Sequence, residues 1–223
     1  MQLVDWLLEP PSHSRNKGIR REAHIWANLK DDHVLSLHGI AIGFGVLPAF
    51  VSSWMTNGSL ESYLRSHTSL STSRKLVISM QRASGLKYLH EKGIVHGDLT
   101  PNNVLIDGND KLCLADFGLS MILAESGNPT FNSCHPGNMR WMAPEMLSVP
   151  QQGESMKPTK PTDVYSHGFT FWTTALLDAD ERISHFRGKV WRHRALRSRS
   201  VDAHARPKVQ EVVEFMKAEL RKR

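Results

Sequence analysis

Cysteine is almost absent from this chain. Two of 223 residues, Cys113 and Cys134, are too few for the disulfide framework on which small secreted domains rely. Reduced thiols in that number fit a cytosolic protein, so a cytoplasmic location is expected. Long apolar runs are missing too: none reaches the roughly 20 residues that cross a bilayer, and no membrane contact is expected. The opening MQLVDWLLEPP lacks a basic start and carries Asp5 and Glu9, which argues against a secretory signal. Nor is there an internal repeat or a low-complexity tract. What the chain does have is 40% hydrophobic and 22% charged residues, the ordinary balance of a globular domain long enough to bury a core. The net charge is +6, with Lys and Arg gathered mainly in residues 187–199 and in Arg221-Lys222-Arg223. No nucleic-acid-binding motif accompanies them, so a solvated basic surface is the preferred reading and nucleic acid is not an expected partner.

The chemistry gathers in residues 96–118, HGDLTPNNVLIDGNDKLCLADFG. Residues 104–106 and 112–114 are apolar runs of strand length. Asp107-Gly108-Asn109-Asp110 between them tolerates turn geometry, so a hairpin is predicted. Pairing the strands brings Asn103, just before the first, beside Asp116, just after the second. An amide and a carboxylate presented together are hard oxygen ligands. Such a set suits Mg²⁺, which is usually held by one or two protein groups plus substrate phosphates. Asp98 adds a second carboxylate to the stretch.

With these residues the stretch resembles the eukaryotic protein kinases. The pattern HRDxxxxN is met at His96, Asp98 and Asn103, DFG stands at Asp116-Phe117-Gly118, and Ala143-Pro144-Glu145 matches the APE that closes the activation segment. RWMAPE is shared by tyrosine kinases and the tyrosine-kinase-like branch, which the chain resembles best. The resemblance implies an α+β fold, a protein-kinase-like two-lobe architecture with an incomplete small N-lobe and a mainly helical C-lobe. Its implied bounds are an irregular segment 1–18, an N-lobe remnant 19–52, a hinge 53–58 and a C-lobe 59–223. ATP and Mg²⁺ are the implied cofactors, and a protein substrate or signalling partner the implied partner. By the same resemblance Asp98 orients the substrate hydroxyl and accepts its proton, and Asn103 and Asp116 hold the metal. Ser53 and Met55 lie in the hinge that meets the adenine through backbone groups, and Glu22 is the αC glutamate that pairs with a lysine.

The rest of the chain follows in order. Residues 1–18 read as a loop. In residues 19–29, Ile19, Ala23, Ile25, Trp26 and Leu29 keep helical spacing, and Glu22 shares a face with Trp26 and Leu29. A carboxylate there wants a cation, the bland alternative being a plain helix with a glutamate on its rim. Residues 50–60 read as a strand, a turn at Asn57-Gly58 and a helix capped by Ser59, with Ser52 at the gatekeeper position by resemblance. Residues 73–90 form a helix with Leu76, Met80, Ala83 and Leu86 inward and Gly93 past its end. In the loop that follows Gly118, Thr130 and Ser133 are candidate phosphate acceptors. Residues 162–177 are apolar around much of their circumference, as in a core helix, and the resemblance makes Asp163 a support for the catalytic-loop backbone. Last comes a helix with Pro207 in its first turn and Val209, Val212, Val213, Met216 and Leu220 in register. By resemblance Arg206 pairs with Glu145.

Some departures are large. No GxGxxG loop and no VAxK strand precede Glu22. The only lysine in residues 1–18, Lys17, lies in a loop, and Lys30 is on no predicted strand either. Gly97 replaces the HRD arginine that pairs with a loop phosphate in kinases switched that way. The path from Asp163 to Arg206 is short and abruptly basic. The sequence thus reads as a truncated or altered kinase domain. Two functions stay open. One is phosphoryl transfer to Ser/Thr or Tyr hydroxyls, where Pro101 leans towards Ser/Thr but Thr100 replaces the usual lysine. The other is a pseudokinase that binds without transferring phosphate.

Overall fold

The computed structural model describes residues 23–43, 45, 48–117, 139–147, 157–176 and 197–221, with side chains of 171–176 left aside. Residues 23–27 are helical. Strands β1 (Leu37–Ala41) and β2 (Ala49–Ser52) pair antiparallel, with Ile40 opposite Phe50. Helices α1 (Leu60–Ser66) and α2 (Thr72–Glu91) follow. Strands β3 (Val104–Ile106) and β4 (Leu112–Leu114) come next, then α3 (Lys160–Leu176) and α4 (Val209–Leu220). A small strand-containing region thus precedes a helical one, the α+β arrangement expected.

The hairpin β3–β4 forms at the predicted residues, Val104 opposite Leu114 and Ile106 opposite Leu112. Asp110 takes a left-handed φ of 64° in its turn, a conformation that Asp tolerates better than most side chains. Two flanking segments extend the hairpin sideways: Leu35 N donates to Leu114 O, and Asn57 N to Ile106 O, each pairing an otherwise open edge. All four inward side chains, Val104, Ile106, Leu112 and Leu114, are 0% exposed. They pack with Leu60 and Tyr63 of α1, Ile78, Leu86 and Leu89 of α2, and Val164 of α3. At roughly 1.5–3 kcal/mol per fully buried aliphatic side chain, this cluster is a main source of stability.

Helix ends follow the residues. Ser59 caps α1, its side chain accepting from Ser62 N, as predicted. Ser71 does the same for α2 through Arg74 N, and Gly93 turns the chain away at φ 76°. Gly85 has a different duty. A Cβ on it would come 2.4 Å from the His33 carbonyl oxygen, so glycine is what lets α2 lie against the segment before β1.

Two expectations change. The spacing puts Pro207 in the first turn of α4, but the cap is Lys208 and the helix begins at Val209, so the proline sits just before the cap. A proline there still blocks extension backwards, since it fixes φ and lacks an N–H. The buried face of the first part of α3 is mostly polar: Thr162, Asp163, Ser166, His167 and Thr170 all lie inside with Val164. The apolar composition of the stretch hid that.

Candidate active site

Asp163, 1% exposed, is the seat of residues 96–98. Its Oδ2 accepts from the backbone N–H of His96 and from Nε2 of His90, both at 2.8 Å, and its Oδ1 accepts from Gly97 N–H at 2.9 Å. Three donors on one buried carboxylate tie α3, the end of α2 and the loop together. Gly97 needs this role filled by glycine, because its φ is 79°. The His96 ring is fully buried and its pKa lies below the ordinary value: burial lowers it and Arg82 adds to that, outweighing the opposite pull of Asp163 and Asp98.

From that seat Asp98 points outward. Its carbonyl accepts Thr100 N at 2.9 Å, and the short turn Pro101–Asn103 follows, with proline at its start. Asn103 Nδ2 then donates back to Asp98 O at 2.8 Å and to Asp98 Oδ2 at 3.1 Å. Asn103 O accepts Ala115 N at 2.9 Å, which sets the start of the DFG motif beside it. Asp116 comes next at φ 54°, a left-handed conformation of the kind stored at functional turns at a cost of about 1–3 kcal/mol. Asn103 and Asp116 are thus neighbours at one end of the hairpin, as the pairing of its strands predicts, and Asp98 joins them through Asn103. With Nδ2 committed to Asp98, the amide oxygen of Asn103 is its remaining ligand atom, beside a carboxylate one residue beyond Ala115. Among the described residues no cluster of three or more His, Cys, Asp or Glu side chains is poised for a metal ion. One carboxylate and one amide oxygen fit Mg²⁺ completed by phosphates and not a cage built from protein alone.

Behind the loop stands a column of rings. Phe117 lies 6.4 Å from His96 and 5.8 Å from Trp26, and Trp26 lies 5.6 Å from Phe50 of β2, each pair edge to face. Trp26 Nε1 also donates to Leu35 O. The column couples the DFG motif to both the residue 23–27 helix and the small sheet. Ser53 and Met55 differ in setting. The Ser53 hydroxyl lies 2.7 Å from His38 Nε2 on the surface, whereas Met55 is 9% exposed and packs on Leu35, Cys113 and Ala115. The Met55 carbonyl accepts Gly58 N, and its N–H meets no acceptor among the described residues. Glu22, Lys17, Thr130 and Ser133 lie outside the described residues.

Glu145 and Arg206 form the expected pair, joined twice, with Nη2 to Oε2 at 2.7 Å. The Arg206 guanidinium also donates to Ser200 O and Pro161 O and stands 5.1 Å over the Tyr165 ring. Burial acts to raise the Glu145 carboxyl, but its hydrogen bonds from Arg206 and its own backbone leave it below the usual carboxylate range. Sequence reasoning missed His90, Arg82 and the ring column. Arg82 did leave a signal, since it lies four and seven residues before Leu86 and Leu89 on the inward face of α2, where a cation requires an anion.

The family model described as Protein tyrosine and serine/threonine kinase matches residues 4–217. Ephrin type-B receptor 4b of Danio rerio is 35% identical over 155 residues, covering 68% of this chain and 15% of that protein. The Serine/threonine/tyrosine-protein kinase HT1 of Arabidopsis thaliana is 36% identical over 132 residues, covering 57% of this chain and 31% of that protein. The chain spans well under half the length of these relatives. It belongs to the protein kinase family, a family of phosphotransferases, and resembles its tyrosine-kinase-like members.

Proposed function

We propose that this chain transfers the γ-phosphoryl group of ATP to a hydroxyl of a protein substrate, with Mg²⁺, in the cytoplasm. The observation that carries the reading is the pair of hydrogen bonds from Asn103 to Asp98, together with its backbone bond to Ala115 beside Asp116. Asp98 orients the incoming hydroxyl and accepts its proton. The hydroxyl oxygen bonds to the γ-phosphorus while the bond to the β–γ bridging oxygen breaks, and ADP leaves. Asn103 and Asp116 hold the cation, which when bound offsets phosphate charge. Ser53 and Met55 meet the base from the hinge, the N–H of Met55, which meets no acceptor among the described residues, being the natural donor. Glu22 orients whichever lysine serves the phosphates. The substrate hydroxyl belongs to serine, threonine or tyrosine.

A second reading has its own support: residues 1–22 carry neither GxGxxG nor VAxK. Where no such loop and lysine are supplied, the missing charge partner costs on the order of 10²- to 10³-fold in rate, and a pseudokinase that binds a signalling partner is the competing function. Incorporation of labelled γ-phosphate into a mixed Ser/Thr/Tyr peptide pool separates the two. Phosphotransfer predicts incorporation that falls by about 10²–10⁴-fold in Asp98→Asn, as loss of a general base does. Incorporation equal in both chains defeats the assignment of Asp98, and none in either chain supports the pseudokinase.

A further inference from the structure

Beneath the catalytic loop, α2 and α3 meet across two buried basic side chains that the proposed chemistry does not use. Arg82 and His167 are each 2% exposed. Arg82 Nη2 donates to the carbonyl of Ser166 at 2.9 Å, so the guanidinium lies on the α3 backbone one residue before His167. Neither ring nitrogen of His167 meets a hydrogen-bond partner among the described residues. Among the described residues the charged and titratable groups around this pair are few. Asp163 of α3 offsets Arg82 and holds His90 of α2, and His96 of the loop lies near Arg82, with the exposed Asp98 beyond it. The segment against Gly168 brings Arg199, whose guanidinium stands 5.0 Å over Phe169. Helix α4 meets α2 through Ala83, Val212, Val213 and Met216, all apolar. Among the described residues one buried carboxylate, Asp163, therefore serves the cation already present while accepting three N–H groups.

We propose that Arg82 and His167 make this seat acid-sensitive: protonating His167 beside Arg82 forces α2 and α3 apart and releases the hold of Asp163 on the His96 and Gly97 amides. A second cation would face Arg82 with no second buried anion among the described residues to offset it, and buried like charges repel strongly at low local dielectric. Burial, with Arg82 acting in the same sense, holds the ring well below the ordinary histidine value. Burial also lowers Arg82 to about 9, against the pull of Asp163. A ring neutral in the fold and ordinary once released leaves stability complete above about pH 6.5 and erodes it as pH falls below that value. For this one ring the folding equilibrium constant drops about tenfold by pH 5.5.

Amide exchange at His96 and Gly97, corrected for its intrinsic pH dependence, tests this in the full chain. Between pH 7.5 and 5.5 the wild type should lose about tenfold more protection than His167→Leu; an equal loss in both overturns the proposal. Arg82→Met reads the same coupling from the other partner. Ring nitrogen shifts of His167 in the unmodified chain need no variant. The ring should stay neutral until the amides lose protection, and a ring that titrates near 6.5 with those amides still protected refutes it. None of these readouts involves nucleotide or phosphate transfer, so they stand apart from the proposed activity.

Discussion

Exchanging Asp163 for asparagine replaces one oxygen by one amide nitrogen at almost constant volume. Oδ2 now accepts from His90 and His96, and Oδ1 from Gly97. An asparagine that keeps its oxygen towards His90 and His96 turns its NH₂ on the Gly97 amide, donor against donor. The flipped rotamer orphans two donors instead. Either way Arg82 loses the carboxylate that offsets its charge. Hydrogen bonds to a charged group contribute about 1.5–3 kcal/mol each, and removing one member of a buried charged set costs about 3–5 kcal/mol. Asp163→Asn is therefore expected to lose about 3–5 kcal/mol, a large part of the roughly 5–15 kcal/mol of a typical domain. Urea unfolding followed by tryptophan fluorescence reads this directly. With a slope of about 1–3 kcal/mol per molar, the midpoint should fall by about 2 M with the slope unchanged. A fall below about 0.5 M would refute the claim that Asp163 is the seat of the loop.

Two further substitutions test the packing. Gly85→Ala gains about 1 kcal/mol of helix propensity, but its Cβ meets the His33 carbonyl at 2.4 Å. The backbone must move, so thermal melting should show a net loss of about 1–3 kcal/mol, and a stabilised variant would contradict the contact. Glu145→Gln leaves the buried Arg206 guanidinium without its counter-charge and should cost about 2–4 kcal/mol at pH 7 in chemical denaturation. The sign with pH follows from the lowered Glu145 carboxyl. Its contribution is present above the unfolded value of about 4.3 and lost as pH falls through the lower folded value, so the wild-type advantage should shrink as pH falls below about 4.3. An advantage that persists undiminished at pH 3 would speak against the pair.

Much of this was legible because local chemistry decided it. The turn residues and apolar runs of residues 104–114 set the hairpin to the residue, and Ser59 and Gly93 marked helix ends through capping and a positive φ. The pairing of Arg206 with Glu145 and the support from Asp163 were legible only through the family resemblance, since nothing local links residues so far apart. Composition misled where a helix faced its neighbours with small polar groups. Ser166 donates to Trp141 O and Thr170 to Ser166 O, so α3 buries hydroxyls that spacing alone cannot place. The arrangement of Arg82 and His167 depends on how α2 crosses α3, which no window of sequence contains. The ring column has the same origin, since Trp26, Phe50 and Phe117 come from three separate segments.

Nucleotide binding at the end of the hairpin is the most direct test of the proposed activity. Titrating the full chain with a non-hydrolysable ATP analogue, in Mg²⁺ and in chelator, compares wild type with Asp116→Asn, a side chain that still tolerates the left-handed backbone and removes only the charge. Binding that needs Mg²⁺ and weakens at least about tenfold in the variant is the predicted result. Binding indifferent to both the cation and the substitution, or no binding at all, would contradict it.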